Sequence, residues 1–476
     1  MNAAIALGRP AKTARGPSIR HWGAIGVALA AYCALALPLR HWMVDDAAIS
    51  MAYAANWVSG HGLVSQPGMA PVEGYSNFLW VVVLAALDGL GMASVLGIKA
   101  VSACCVAAAL VSLNATCAAL MSHAARAAVL VLTATCSSIV VWTTSGLENP
   151  LTLLLASEIL RALLRKKGAY LGALIAALGM TRPEGVLLGV LALVFLRRRP
   201  LLAFLGVAFA IYAAFLAFRW ATFGDIVPNT FYAKEASRID PWTILFNAGD
   251  LLNAPFGLGL AMVAVLAAAL RAEARQRAIP LAMMAVTGGI FALMPPDWMA
   301  DHRFATAFLP AAFVLTGVAL SAMPRVLLAL LVLSIALNAQ RLVAFYDAPT
   351  LPVTQVRTTV TAFEQRARSL GIEDASLLTP DIGAALLHSS LTIHDLAGLC
   401  DRVIATALRK PDKTVLHDYV FERLRPTFIH AHTVWADYAA FETDPRFARD
   451  YVALNKTDFV RRDALARAPG AAPLAR

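Results

Sequence analysis

Charge is scarce in this chain. Only 15% of its 476 residues are Asp, Glu, Lys or Arg, whereas 59% are hydrophobic, and the mean hydropathy is +0.66. So little polar surface excludes a soluble globular fold of this length and leaves a polytopic helical membrane protein. Cysteine is equally thin. Of the six, Cys33, Cys104, Cys105, Cys117 and Cys136 fall in apolar stretches as small packing residues and Cys400 has no obvious partner, so no disulfide or cysteine metal site is expected. A Gly-rich nucleotide-binding loop, an internal repeat and a low-complexity tract are all missing.

The formal charge of +10 would suggest nucleic acid as partner in a soluble protein. Here the bases gather in short loops beside apolar runs, which is the pattern of cytoplasmic loops in a membrane protein, and no nucleic-acid partner is expected. Arg9, Lys12, Arg15 and Arg20 precede the first apolar run, which ends at Pro38-Leu39-Arg40 without a small-residue cleavage pattern. A retained first helix with residues 1–21 as a cytoplasmic tail is therefore expected. Taking Arg126, Arg161 to Lys167, Arg197 to Arg199, Arg271 to Arg277 and Arg325 as cytoplasmic gives a consistent alternation. About eleven spans follow, at 22–39, 97–120, 127–143, 150–164, 169–181, 185–197, 201–220, 254–270, 279–294, 304–322 and 326–345. Residues 78–90 are apolar too, but Asp88 and Gly89 make that stretch short, so it reads as interfacial or re-entrant. Residues 22–347 thus form the transmembrane domain, with a first outer loop at 40–96. Residues 348–476 lack a spanning stretch and read as a small extracytoplasmic α/β domain, with strands near 376–379, 391–394 and 427–430.

With that threading, every polar motif faces away from the cytoplasm. Asp45 and Asp46 follow the first helix; paired carboxylates beside an apolar layer are costly unless solvated, paired or used. Read as the solvated end of that helix, they would even be slightly unfavourable to its dipole. Side chains one residue apart on a helix diverge by roughly 100°, so the two carboxylates are expected to do different jobs, one accepting a proton from a hydroxyl. Glu73, Tyr75 and Asn77 cluster carboxylate, phenol and amide groups suited to binding polyols. Arg182 and Glu184 flank Pro183 in a short outward turn, where an ion pair and a catalytic role weigh equally. Glu148 and the pair Asp297-Trp298 sit in similar turns, and His302 and Arg303 follow close by, as site groups or as interface anchors. The loop from Phe223 to Lys234 packs Asp225, Asn229, Tyr232 and Lys234 around Pro228; the lysine reads either as a point charge for a phosphate or as a snorkelling side chain.

In this order, Asp45-Asp46-Ala47-Ala48-Ile49, Gly60-His61-Gly62, Glu73-Gly74-Tyr75-Ser76-Asn77, Ser145-Gly146-Leu147-Glu148, Thr181-Arg182-Pro183-Glu184-Gly185, Pro228-Asn229-Thr230, Tyr232-Ala233-Lys234 and Asp297-Trp298-Met299 resemble GT-C membrane glycosyltransferases, in particular the arabinan-capping arabinofuranosyltransferase family. The resemblance extends to Pro380-Asp381-Ile382-Gly383 and Asp395-Leu396-Ala397-Gly398. Ala52, Gln66, Asn149 and Pro295-Pro296 depart from the family pattern, so the sugar need not be arabinose. What the resemblance implies is transfer of a sugar from a polyprenyl-phosphate donor, entering from the membrane lipid, to a hydroxyl of a glycan, lipid or protein acceptor outside the cytoplasm, in a bacterial plasma membrane. Asp45 or Asp46 would be catalytic; Arg182, Lys234, His302 and Arg303 would bind the donor phosphate. Glu73, Tyr75, Asn77, Glu148, Glu184, Asp225, Asn229, Tyr232, Asp297 and Trp298 would hold sugar or acceptor. No cofactor is assigned with certainty, and a divalent cation is left open. A transporter or lipid flippase is the rival from another class, though such proteins place polar groups at the bilayer midplane, often in repeated halves. A catalytically dead scaffold is the third.

Overall fold

A computed structural model describes residues 19–234, 240–322 and 324–466. Arg9, Lys12 and Arg15 of the basic N-terminal stretch lie outside the described residues. The chain is mostly helical, with one small sheet near its C-terminal end. Among the described residues, Trp22–Leu39, Val95–Cys117 and Arg198–Phe223 are long and apolar enough to cross a membrane. A fourth span exists if His123–Thr135 and Ser137–Thr144, bent by 51° about Cys136, count as one. The expected eleven spans therefore do not all appear as full-length helices. Residues 185–197, expected as a span, form a 3-10 turn over Pro183–Gly189 and a short helix Val190–Phe195. The stretch expected as interfacial is a 12-residue helix, Phe78–Gly89.

Helices pack closely where the sequence supplies small residues. Helix Gly168–Thr181 lies along Arg198–Phe223. A Cβ built on Gly168 would stand 1.8 Å from the Pro200 carbonyl oxygen, and one on Gly172 would stand 2.6 Å from that of Phe204. This glycine pair, four residues apart, lets the two backbones touch, the small-residue device of membrane helix pairs. Lys99, an awkward charge for a span, donates to the carbonyls of Trp42 (2.7 Å) and Thr144 (2.6 Å) and so ties the end of helix Ser137–Thr144 to the connection before Asp45.

The first helix ends at Ala36 and a 3-10 turn follows at Leu37–Leu39. A new helix then begins at Asp45 and runs to Val58. The alternative of Asp45 and Asp46 as the solvated C-terminus of the first helix does not hold: both occupy the first turn of a new helix, where the dipole and the free backbone N–H groups favour carboxylates.

The C-terminal part builds a five-stranded sheet: β1 (Ser376–Thr379), β2 (Thr392–Asp395), β3 (Phe428–His430), β4 (Tyr451–Ala453) and β5 (Asp458–Arg461), in the order β2-β1-β3-β5-β4. β1 pairs in parallel with β2 and β3, whereas β5 is antiparallel to β3 and to β4. Three strands match the sequence expectation within a residue. The final hairpin carries no comparably strong alternation and was not foreseen. Helix Val353–Ser369 buries Val356, Val360, Phe363 and Ala367, a stripe at helical spacing, and its Phe363 packs on Phe428 of β3.

This unit is clipped to the helical part by backbone and side-chain bonds. Val44 bridges to Pro352, the Asp45 N–H donates to Leu351 O (3.0 Å), and the Val353 N–H donates to Met43 O (2.9 Å). Gln66 donates to Leu391 O and accepts from the Ile393 N–H, and Asn229 donates to the carbonyls of Gly398 and Leu399.

Candidate active site

The two adjacent aspartates part company at once. Asp45 is buried, and both its oxygens are taken: the Gly383 N–H donates to Oδ2 and the Ala384 N–H to Oδ1, each at 2.8 Å. Those N–H groups open helix Gly383–His388, so the carboxylate caps it while gripping the C-terminal unit. A Cβ on Gly383 would stand 1.9 Å from the Asp45 carbonyl oxygen, so a glycine is required for the grip. Burial lifts the Asp45 carboxyl to about 7, against the pull of the Ala384 and Gly383 N–H groups. Asp46, one step round the helix, is 37% exposed and approaches Arg303 Nη1 at 3.6 Å. Desolvation raises its pKa, opposed by Arg303 and Lys234 and reinforced by Asp297 and Glu148. A carboxylate that reaches solvent and holds its proton more tightly than usual has the attributes of a general base.

Around Asp46 the outward turns converge. Arg303 forks onto Asp297, Nε to Oδ2 at 2.9 Å and Nη2 to Oδ1 at 3.2 Å. Arg182 donates from Nη1 to Glu148 and from Nε to Glu184, both at 2.6 Å. Both guanidinium groups stack on the Phe304 ring, Arg182 at 4.4 Å and Arg303 at 4.5 Å from its centroid. One aromatic ring thus holds two like charges, which cation–π attraction and the flanking carboxylates make tolerable. Behind them, Ser50 donates to Asn77, and Asn77 donates to Glu148 at 2.9 Å. Burial pushes Glu148 up most strongly, but the Arg182 charge, the Asn77 hydrogen bond and the Arg303 charge together hold the carboxylate below its ordinary value.

Lys234 differs from the arginines. It is exposed and, among the described residues, forms no ion pair. Its pKa is lowered by desolvation first and then by the like charge of Arg303, with Asp46 pulling the other way. A cation pressed by other cations and lacking a carboxylate partner is poised for an incoming anion. Beside it, a cleft of about 240 Å³ is lined by Asp250, Asp297, His302, Arg303 and Phe304 among others. His302 adopts a left-handed backbone (φ 55°) and bonds through Nε2 to Asp250 at 3.0 Å, leaving its buried Nδ1 without a partner.

Asp46, Glu148, Arg182, Glu184, Lys234, Asp297 and Arg303 therefore share one locus, with Asn77 behind it and His302 at its edge. The other expected site residues lie elsewhere. Glu73 is buried in an ion pair with Arg219 (2.8 Å), and Tyr75 packs edge-on against Tyr53 and Phe223. Burial raises Glu73 to about 7 despite the Arg219 charge. Asn229 is engaged by the C-terminal unit. Asp225 accepts from Tyr232 (3.1 Å) and lies 3.6 Å from Arg402, and Trp298 points outward, 66% exposed. Sequence reasoning missed Phe304, Asp250 and Arg219. Arg219 had a signal, being a charge inside an apolar span; Phe304 had none, because an aromatic in an apolar chain is unremarkable until two arginines are seen on it.

No family model matches the chain, and no curated protein matches it by sequence. Solved structures match it in fold, two of them as follows. One is the archaeal oligosaccharyltransferase AglB from Archaeoglobus fulgidus in complex with an inhibitory peptide and a dolichol-phosphate, with a TM-score of 0.54 and 12% identity over 93% of this chain and 74% of that one. The other is the Archaeoglobus fulgidus oligosaccharyltransferase tethered to an acceptor peptide containing the NVT sequon, with the same score and identity over 94% and 74%. At this identity the likeness concerns architecture alone: the chain is similar in fold to these oligosaccharyltransferase structures.

Proposed function

We propose that this chain is a membrane glycosyltransferase that moves a sugar from a polyprenyl-phosphate donor to a hydroxyl of a glycan, lipid or protein acceptor on the extracytoplasmic face. The observation that carries this reading is Asp46, a solvent-reaching carboxylate of raised pKa set 3.6 Å from Arg303 within the charged field of Lys234. In the reaction, the acceptor hydroxyl gives its proton to an Asp46 oxygen as its oxygen bonds to the anomeric carbon. The bond from that carbon to the phosphate oxygen breaks, and the electron pair leaves with the phosphate. Lys234 and Arg303 meet the developing phosphate charge, with the His302 cleft beside them; fixed cations of this kind act where charge develops. Arg182 is held by Glu148 and Glu184 and contributes field and shape to the locus. Glu148, with Asn77 behind it, and Asp297 hold the arginines and offer oxygens to sugar hydroxyls. Asp45 grips the C-terminal unit and takes no proton in this scheme. The dolichol-phosphate in one of the oligosaccharyltransferase structures and the acceptor peptide in the other support a lipid-phosphate donor and a separate acceptor. The sequence resemblance favours arabinofuranose as the sugar, and the distribution of basic loops favours a cytoplasmic N-terminus and an external C-terminal unit.

The test uses purified protein in lipid nanodiscs with radiolabelled polyprenyl-phosphate sugars, arabinofuranose included, and candidate acceptors. Transfer by the wild type and a loss of about 100- to 10,000-fold in Asp46→Asn are expected. Undiminished transfer by that variant would remove the base assignment. Movement of lipid across vesicles without sugar transfer would replace the reading by a flippase.

A further inference from the structure

The sheet has a switch point that the reaction above leaves unused. From β1 the chain crosses to β2 on one side and later returns to β3 on the other side of β1, all three strands parallel. Loops leaving two such neighbours diverge and open a crevice at the carboxyl ends of the strands, the usual place for a ligand in an open α/β sheet. Asp381 stands two residues beyond β1, His430 ends β3 and His432 follows it. Their ligand atoms all lie within 4.8 Å of one another, and each residue is half-buried.

We infer that Asp381, His430 and His432 form a binding site for a divalent transition metal of the zinc class, at the edge where the C-terminal unit meets the Asp45 helix. Geometry supports it in three ways. His432 Nε2 lies 2.9 Å from Asp381 Oδ2, and the His430 and His432 rings are 4.9 Å apart at their centroids. Ligand atoms on one tetrahedral zinc ion, bound at about 2.0–2.1 Å, are roughly 3.3 Å apart, so only small side-chain movement closes the set. His430 Nδ1 is held by the Asp458 carboxylate at 2.5 Å, which leaves Nε2 as its free nitrogen. A carboxylate fixing the distal nitrogen of an imidazole is the partner that metal-binding histidines commonly carry, and Asp458 is itself steadied by Asn455 and Thr457. Two imidazoles and one carboxylate select zinc or a neighbouring first-row ion over magnesium or calcium, which prefer all-oxygen shells.

The ion's first effect would be mechanical. Asp381 is two residues from Gly383, whose N–H holds Asp45, so fixing Asp381 stiffens the loop that grips the helix carrying Asp46.

The experiment takes the full-length protein, stripped with chelator and then dialysed against zinc chloride. Expected are about one bound zinc per chain by elemental analysis, a higher melting temperature with zinc than with chelator, and a tetrahedral absorption spectrum when cobalt replaces zinc. His430→Ala abolishes all three signals. Asp458→Asn, which removes no ligand, weakens zinc binding by about 10- to 100-fold and keeps the fold. Wild-type protein that retains no zinc after dialysis, or binds it equally well in His430→Ala, would overturn the site. Retention of magnesium in preference to zinc would overturn it as well.

Discussion

At the residue scale, neighbours in sequence have opposite surroundings. Asp45 and Asp46 share a motif, yet one is sealed under two backbone N–H groups and the other faces the charged locus. Asp45→Asn is therefore expected to lower stability, because an amide nitrogen would face a backbone donor, while the chemistry of any folded fraction persists. Thermal melts set beside transfer per folded molecule check this; equal stability with lost transfer would reverse the assignment. Glu73 makes a second case. Replacing it with Gln leaves the Arg219 guanidinium buried without its countercharge, which typically costs about 3–5 kcal/mol. Chemical denaturation of Glu73→Gln in detergent, showing less than about 1 kcal/mol of change, would argue that water already solvates the pair. Two departures from the family pattern also found work: Gln66 clips β2 to the outer loop, and Asn149 donates to Arg303 O (2.9 Å) and Thr306 Oγ1 (2.7 Å), steadying the turn that carries Arg303.

At the scale of elements, the site is an assembly of helix starts and short turns. Asp46 comes from the first turn of one helix, Glu148 and Arg182 from the starts and ends of others, and Arg303 from a 3-10 turn. Such ends expose backbone donors and bend the chain tightly, so side chains far apart in sequence converge. Gly383 is the tightest joint between the two parts of the chain. In Gly383→Ala the added methyl meets the Asp45 carbonyl, and overpacking of this kind costs about 1–3 kcal/mol when the backbone can shift. Limited proteolysis should then cut the chain between residues 348 and 353 faster than in the wild type; an unchanged cleavage rate would mean the grip is elsewhere. The first span ends near residue 39 as expected, and what the sequence reading did not mark is the separate helix Asp45–Val58 inside the outer loop 40–96.

At the scale of the whole molecule, buried carboxyls bias stability towards mild acid. Burial pushes Asp45 and Asp395 each to about 7, above the ordinary carboxylate range. Between about pH 4 and 7 the folded chain holds protons that the unfolded chain has released, so these groups add stability as pH falls through 7. His388 and His394, with pKa values lowered by burial, act in the opposite sense below the usual imidazole range. The melting temperature is thus expected to rise from pH 8 to pH 6.5, and to rise less in Asp395→Asn; a flat profile in the wild type would contradict it. Composition and charge pattern were enough to establish a membrane protein, because transfer of apolar side chains out of water and the cost of moving basic loops across a bilayer are additive and local. The three central strands were legible for the same local reason. The burial of Asp45 beside a solvent-reaching Asp46, the paired arginines on Phe304 and the pairing of Glu73 with Arg219 were decided by tertiary structure alone, since each depends on which distant group arrives beside a side chain, and no local pattern encodes that arrival.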